Sequence, residues 1–376
     1  MRQLVSSTSR IAWIFAAALI STAACGGKVV FDTGSGNGGN GGNGGSSATG
    51  VPTSSGSPTT TSGSPSTTSS GSMTSSGGIT CPGTPPLTGA CAPGASCAAK
   101  GSTCLAPVAQ ASSPTPGLRM SQITFKQPAV FTKGIVASVF QGAVVPSDPS
   151  CNLNGSGTLS WLLRFDLAAG TLTTGGAKPS PSVAGPYAFI DEQLPSGNDL
   201  IPVQPVVMSV SIDGNCTFKT SAADVMIPVF LDGGGTQSVI LPLRNLSFHD
   251  SKLSDFGSCI GRYNAQGLSP QNSCLADSQN NSFLEGGVVD ATMLLEDADH
   301  IIVSSLNESL CVLISQNPSQ FGTPNAQGVT VCKRDANNQI IFKGDWCAAT
   351  DSPAGNGCSD AVKMSATFAA QGVKIQ

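Results

Sequence analysis

Residues 360–375 read DAVKMSATFAAQGVKI and give the clearest indication of the fold. Apolar residues take every second position of the first half, at Val362, Met364, Ala366 and Phe368. A period of two is typical of a β-strand with one buried face, because successive side chains of a strand point to opposite sides. The segment therefore predicts a long strand that packs one face against a hydrophobic core.

Similar strand patterns recur through residues 105–376, separated by turn-forming clusters such as SDPSCNLNGSG, IDGNC and LDGGGTQS. Short strands spaced by turns rich in Gly and Pro are typical of antiparallel sandwiches and related folds. We therefore predict a mainly β fold, a disulfide-stapled antiparallel β-sandwich-like head domain over 105–376. The predicted strands are residues 122–126, 135–140, 158–166, 206–212, 225–231 and 238–243, followed by an extended stretch at 288–295.

Two hairpins are predicted within the head. The first joins 225–231 to 238–243, with Pro228 and Pro242 at edges or bulges, because proline cannot donate a hydrogen bond to a ladder. The second lies in 329–347, around Asn337 and Asn338.

A single helix is predicted over residues 296–315 (EDADHIIVSSLNESLCVLIS). Its apolar positions 298, 302, 306, 310 and 313 share one face at helical spacing. The acidic residues of its first turn complement the helix dipole.

Composition limits the function classes. Charged residues make up 11% of the chain and the formal net charge is −4, whereas nucleic-acid binding needs a clustered basic surface. The chain has 13 cysteines, which indicates an oxidising compartment outside the cytosol. We therefore expect no nucleic-acid partner.

The amino terminus has the pattern of a secretory signal. Arg2 and Arg10 precede or flank an apolar run over 11–24, IAWIFAAALISTAA. As a helix this run spans about 21 Å, which is short of the roughly 30 Å hydrocarbon core. Residues 1–24 are therefore predicted to be a signal peptide rather than a membrane span.

Small residues at 21–24 lead directly into Cys25 and Gly26. This sequence resembles the lipobox of bacterial lipoprotein precursors, although Thr22 stands where the family prefers leucine. The resemblance implies that Cys25 is diacylated on sulfur, becomes the new amino terminus and is acylated again. Gly26, in place of aspartate, implies an outer-membrane or cell-surface destination. Ordinary signal-peptidase cleavage, giving a secreted or periplasmic protein, is the alternative.

Residues 25–80 are predicted to be a disordered tether, because Gly, Ser, Thr, Asn and Pro dominate them and bury little apolar surface. Coil statistics give the tether a span of roughly 40 Å. Residues 81–104 form a small Cys-rich knob without close pairs of zinc ligands. We predict two short disulfides there and no metal.

Cysteine parity supports acylation, because 13 cysteines less Cys25 leave an even number to pair. Spacing does not determine the pairing. The predicted disulfide cysteines of the knob are Cys81, Cys91, Cys97 and Cys104. In the head, Cys259–Cys274 and Cys347–Cys358 are the favoured local pairs, Cys151–Cys216 would then pin two strands, and Cys311–Cys332 is the pair that remains.

Catalytic motifs are absent from the sequence: it contains no GxSxG, HExxH or GxGxxG after a strand. His249 beside Asp250 is a candidate base, with a polar loop histidine as the alternative. Glu192 and Glu285 lie in loop-like contexts and are the candidate carboxylates of a hydrolase.

The sequence also contains candidate residues for two other kinds of site. A loop-built calcium site would use Asp297, Asp299 or Asp345, with ordinary charged turn residues as the favoured alternative. Tyr187 and Tyr263 are the better candidates for contact with a sugar ligand. Of the remaining aromatic and histidine residues, Trp161 is expected in the core, Trp346 against a disulfide and His300 on the surface.

These patterns predict a lipid-anchored protein of the cell envelope whose head binds or scaffolds at the cell surface and does not catalyse. A surface glycan or an envelope protein is the expected partner, and neither cofactor nor metal is expected. A secreted hydrolase that uses carboxylates or a serine is the alternative.

Overall fold

Strands dominate the part of the chain that the computed structural model describes. The described residues are 107–110, 113–132, 134–148, 153–254, 257–264, 268–269, 275–276 and 282–376. The predicted signal peptide, tether and knob, with Cys25 and the four cysteines of the knob, lie outside these residues.

The described chain contains 25 strands and five short helices. The helices are α1 (Ala129–Thr132), α2 (Gly134–Val144), α3 (Leu295–His300), α4 (Leu310–Ser315) and α5 (Pro318–Phe321). The first strands are β1 (Gly117–Gln127), β2 (Ser147–Asp148), β3 (Leu153–Asn154), β4 (Ser160–Asp166), β5 (Thr171–Ala177), β6 (Glu192–Ser196), β7 (Asp199–Val203), β8 (Val206–Ile212), β9 (Thr217–Thr220), β10 (Ala223–Phe230), β11 (Ser238–His249) and β12 (Ser251–Ser254). The others are β13 (Cys259–Ile260), β14 (Arg262–Tyr263), β15 (Leu268–Ser269), β16 (Leu275–Ala276), β17 (Phe283–Leu284), β18 (Gly287–Leu294), β19 (Ile302–Val303), β20 (Glu308–Ser309), β21 (Gly322–Pro324), β22 (Thr330–Cys332), β23 (Trp346–Cys347), β24 (Ser352–Pro353) and β25 (Ala361–Gly372).

Strand β25 is the centre of the main sheet, because neighbours bond to both of its edges. One edge pairs with β1 and the other with β18 and then β13, all antiparallel. From β1 the ladder continues through β4, β5, β8, β9 and β12 to β13, so the pairings close into a ring. Strands β18, β11 and β10 extend from β25 as a branch. The predicted antiparallel, mainly β fold is confirmed.

The alternation that predicted β25 describes its two faces. Val362, Met364, Ala366 and Phe368 are all buried, whereas the residues between them are partly exposed. On β4, Trp161 is 1% exposed and lies in the same core cluster. This cluster draws on nearly every strand of the ring and is the main hydrophobic core.

The core also contains a buried cation, Arg119. The side chain is 1% exposed, and its N–H groups donate to Ser160 Oγ and to the carbonyl oxygens of Met120 and Val144. Two more bonds reach the carbonyls of residues 157 and 159. Burial lowers the pKa of the Arg119 guanidinium. The guanidinium therefore ties β1 to the end of α2 and the start of β4.

The strand predicted at 135–140 is wrong, because these residues belong to helix α2. Ala137, Phe140 and Val144 are buried at helical spacing. Phe140 also packs on Phe125 and Phe131, with ring centroids 5.6 and 5.1 Å apart. β-Branched residues at 135, 136 and 139 favour a strand locally, but tertiary packing against the sheet overrides this preference and the segment is helical.

The single helix predicted over 296–315 is also wrong in its length. The segment forms α3, then the hairpin of β19 and β20, then α4. Asn307 has φ +56° in the hairpin turn, which a continuous helix cannot contain. Ser309 caps α4 by accepting a hydrogen bond from the Val312 N–H. Leu306, predicted on the buried face, is 55% exposed.

Both predicted hairpins have support. Strands β10 and β11 pair antiparallel across residues 231–237, and β10 ends the branch, which puts Pro228 on an edge strand. Pro242 precedes the part of β11 that pairs with β18. In the second hairpin, Arg334 and Ile340 form a bridge around the predicted turn. Among the described residues, no helix is long and apolar enough to cross a membrane.

Candidate functional site

The largest departure from a simple sheet is an insertion between two neighbouring strands. Strands β18 and β25 pair directly over eight residue positions, yet residues 295–360 lie between them in the chain. Antiparallel neighbours are usually joined by two to five residues, and long connections often carry function. The insertion contains α3, α4, α5 and a small four-stranded sheet of β19, β20, β22 and β21.

Two disulfides hold the insertion together. Cys311 and Cys332 bond at a Cα separation of 5.9 Å, and Cys347 and Cys358 at 5.2 Å. Both predicted pairs are confirmed. Cys216 and Cys259 are also disulfide-bonded, and their predicted partners at positions 151 and 274 lie outside the described residues.

A buried carboxylate connects the elements of the insertion. Asp299, 8% exposed, accepts hydrogen bonds from Ser309 Oγ at 2.8 Å and from the Cys332 N–H at 2.7 Å. Arg334 Nη2 lies 3.0 Å from the same carboxylate and also pairs with Glu296. These bonds to Glu296 and Asp299 raise the pKa of Arg334. The network fixes α3 against β22, which is a structural role.

A groove of about 500 Å³ separates the insertion from the hairpin of β6 and β7. Ser196, which is buried, is one of the residues that line this groove. Its hydroxyl donates to the carbonyl of His300 at 3.3 Å and accepts from the Ile302 N–H at 2.8 Å. Gly197, at φ +61°, packs so closely that a Cβ there would lie 2.9 Å from Ile302 Cγ1. These contacts fix the β6–β7 hairpin against the insertion.

Both aliphatic and polar side chains line the groove. Ile302, Val329 and Val331 line it and are each partly exposed. Five of its exposed polar side chains make no hydrogen bond or ion pair with any residue that the structure describes. They are Asn198, Asp199, His300, Ser304 and Gln327.

Two exposed leucines adjoin the groove along the chain. Leu200 follows Asp199 and is 61% exposed, and Leu306 lies in the β19–β20 turn and is 55% exposed. No aromatic residue is among the described residues that line the groove. Sequence reasoning did not find this site, because residues 196–199 and 302–331 are about a hundred positions apart.

A second cleft, of about 320 Å³, lies beside the Cys347–Cys358 disulfide. It contains the carboxylates of Glu296 and Asp360. Glu296 pairs with Arg334, and Asp360 accepts a hydrogen bond from the Ala348 N–H at 3.0 Å. Both carboxylates therefore have structural partners.

The predicted catalytic candidates are not brought together in either cleft. Glu192 pairs with Lys178 at 2.8 Å on the surface, and Glu285 accepts from Thr124 Oγ1 at 2.5 Å. His249 lies between two carboxylates, 2.9 Å from Asp250 and 3.4 Å from that of residue 290. Because both ring nitrogens face carboxylates, neither is placed to take a proton from a serine.

Tyr187 and Tyr263, expected to contact a ligand, are instead core residues. They are 4% and 2% exposed, because Tyr187 packs with Leu162 and Tyr263 stacks edge-on against Phe283. Burial raises the pKa of Tyr187, and it raises the pKa of Tyr263 to about 12. The ring of Trp346 lies under Lys363, whose Nζ is 4.9 Å from its centroid.

The carboxylates weighed for calcium each have another partner. Asp297 accepts from Arg244 Nε at 2.8 Å. The hydrogen bonds of Arg244 to Asp297 and Asp224 raise the pKa of Arg244. Asp345 accepts from the backbone N–H of Lys363 at 2.9 Å. Asp299 also lies near Cys311 and Cys332, but sulfur atoms tied in a disulfide are not thiolate ligands. These residues therefore fit the alternative of structural charged groups.

The site is thus a polar groove on a disulfide-stapled insertion of an antiparallel β domain. In comparisons with known proteins, no family model, curated protein or solved structure matches the chain.

Proposed function

We propose that this chain is a lipid-anchored protein of the cell envelope whose head binds a surface partner in the groove. The observation that carries this proposal is the groove itself, where five exposed polar side chains have no partner among the described residues. Polar groups that converge on a partly apolar cleft are typical of binding sites. The two disulfides of the insertion keep such a site ordered outside the cell.

The leader and tether sequences support the location. The lipobox-like stretch before Cys25 provides an acyl anchor, and several acyl chains hold a protein to a membrane where one binds only reversibly. The Gly/Ser/Thr-rich segment then lets the head reach material away from the lipid. An outer-membrane or cell-surface position follows from this proposal, with a secreted or periplasmic protein as the alternative.

A groove-filling variant tests the proposal. Full-length protein would be immobilised and offered three probes separately: purified peptidoglycan, surface polysaccharide and detergent-solubilised outer-membrane proteins. Ser304→Trp places a large side chain in the groove at an exposed position, and Ser211→Trp is the matched control on exposed β8. We expect at least one probe to bind wild type and the control, and to bind Ser304→Trp at least tenfold more weakly. Equal binding by both variants, or no binding of any probe, would contradict the proposal.

A further inference from the structure

We infer that the groove binds an extended protein segment that presents a basic side chain to Asp199. This inference rests on the proposed function and specifies its partner class as protein rather than glycan.

The charge of the groove favours a cation. Asp199 and Asp299 are the acidic residues that line it, and no Lys or Arg is among its described lining residues. Asp299 is already neutralised by Arg334 at 3.0 Å. The exposed carboxylate of Asp199 has no ion pair with any described residue, so an ammonium or guanidinium group of a ligand can bind it directly.

The apolar surface favours a peptide over a sugar. Ile302, Val329 and Val331 provide aliphatic surface in its lining. An extended peptide carries aliphatic and polar side chains in alternation, which matches such a lining. A sugar ring is commonly held by stacking on Trp, Tyr or Phe, and the described lining contains none of these three. The tyrosines that could have stacked are buried in the core.

The groove walls are ordered before any ligand arrives. Asn307 Nδ2 donates to the carbonyl of Gly328 at 2.9 Å. Asn325 Oδ1 accepts from the N–H groups of Gln327 and Val329 at 3.0 and 2.9 Å. Ser196 fixes the opposite wall. Because little of the backbone has to be ordered on binding, a short peptide can bind with useful affinity.

Peptide selection followed by a charge substitution tests this inference. A displayed library of random decapeptides would be selected on full-length protein, and enriched peptides would be synthesised for anisotropy titrations. We expect enriched peptides to contain Lys or Arg together with Val, Ile or Leu. Asp199→Asn should weaken them about 5-fold, which is the upper end for loss of an exposed ion pair. Asp191→Asn, an exposed aspartate outside the groove lining, should change affinity less than twofold.

The outcomes separate the inference from the proposed function. Enriched peptides without basic residues, equal effects of the two Asn variants, or no enrichment at all would each overturn the inference. Polysaccharide binding that Ser304→Trp abolishes, with no peptide enriched, would retain the groove as a binding site and reject the peptide. If Ser304→Trp leaves both polysaccharide and peptide binding unchanged, the groove itself is rejected.

Discussion

At the scale of single residues, Arg119 shows how the core tolerates a charge. A buried ion usually needs an opposite charge, because leaving water costs several kcal/mol. Here carbonyl oxygens of β1, of α2 and of the residue just before β4 accept hydrogen bonds from the guanidinium instead. The ring of Tyr187 adds a face 5.9 Å away. In the sequence, Arg119 is only a charged residue near the start of a strand, and its partners up to residue 160 cannot be foreseen.

Arg119→Met should destabilise the protein by about 3–5 kcal/mol, because several buried carbonyls lose their donor. Urea unfolding followed by circular dichroism measures the change. Arg262→Met, on an exposed side chain, is the control and should stay within about 0.5 kcal/mol. Equal midpoints for the two variants would show that the Arg119 bonds are not made.

The two tyrosines predict a high-pH titration. The chain has only Tyr187 and Tyr263, both buried with a raised pKa. Folded protein at pH 10.5 should therefore show less tyrosinate absorbance at 295 nm than urea-unfolded protein, whose tyrosines should be more than half ionised.

The same shifts predict the direction of the pH dependence of stability. A pKa raised on folding contributes stability that is complete below the unfolded value near pH 10 and is lost as pH rises toward about 12 for Tyr263. Stability should fall by up to about 1.4 kcal/mol per pH unit in that window through Tyr263, and Tyr187 should contribute in the same direction. Ionisation of one tyrosine at pH 10 in folded protein would contradict its burial.

At the scale of elements, the insertion 295–360 determines the site. Local sequence patterns predicted the flanking strands β18 and β25. The short spacing of Cys347 and Cys358 predicted their bridge, and Cys311–Cys332 was the pair that remained. The split of the expected helix 296–315 was not predicted, because α3 and α4 both keep helical spacing. In the fold, the β19–β20 hairpin and the hydrogen bonds of Asp299 to Ser309 and β22 separate them. The groove was missed for the same reason: its walls meet only in the folded chain.

Removing the Cys311–Cys332 bridge should loosen the insertion and leave the ring of strands folded. The bridge closes a separation of 21 residues, which corresponds to about 3 kcal/mol in the chain-entropy model. In a Cys311→Ala/Cys332→Ala protein, hydrogen exchange should rise over 302–332 and stay unchanged in β1 and β25.

The Cys347→Ala/Cys358→Ala protein is the matched comparison, with a shorter separation of 11 residues. It should affect 346–358 more than the groove. Uniformly faster exchange across β1 and β25 in either protein would show that the insertion is not a separate unit of stability.

At the scale of the whole molecule, the proposed protein has three parts, namely an anchor, a tether and a folded head. In this proposal an acylated Cys25 attaches the protein to the membrane, a Gly/Ser/Thr-rich tether gives reach, and the antiparallel head supplies a frame for the groove. The low charge of the chain, 11%, fits a surface built from Ser, Thr, Asn and Gln. Sequence patterns predict the first two parts and the fold class, whereas the residues of the groove come together only in the folded head.

The intact mass of native protein, extracted from membranes and kept unreduced, tests the anchored and disulfide-stapled molecule most directly. The account predicts a chain that starts at Cys25, carries acyl chains, and has lost one hydrogen from each of the other cysteines among the 13. An unlipidated mass that starts at Ala24 or Cys25, or one with free thiols remaining, would contradict it and indicate a released protein.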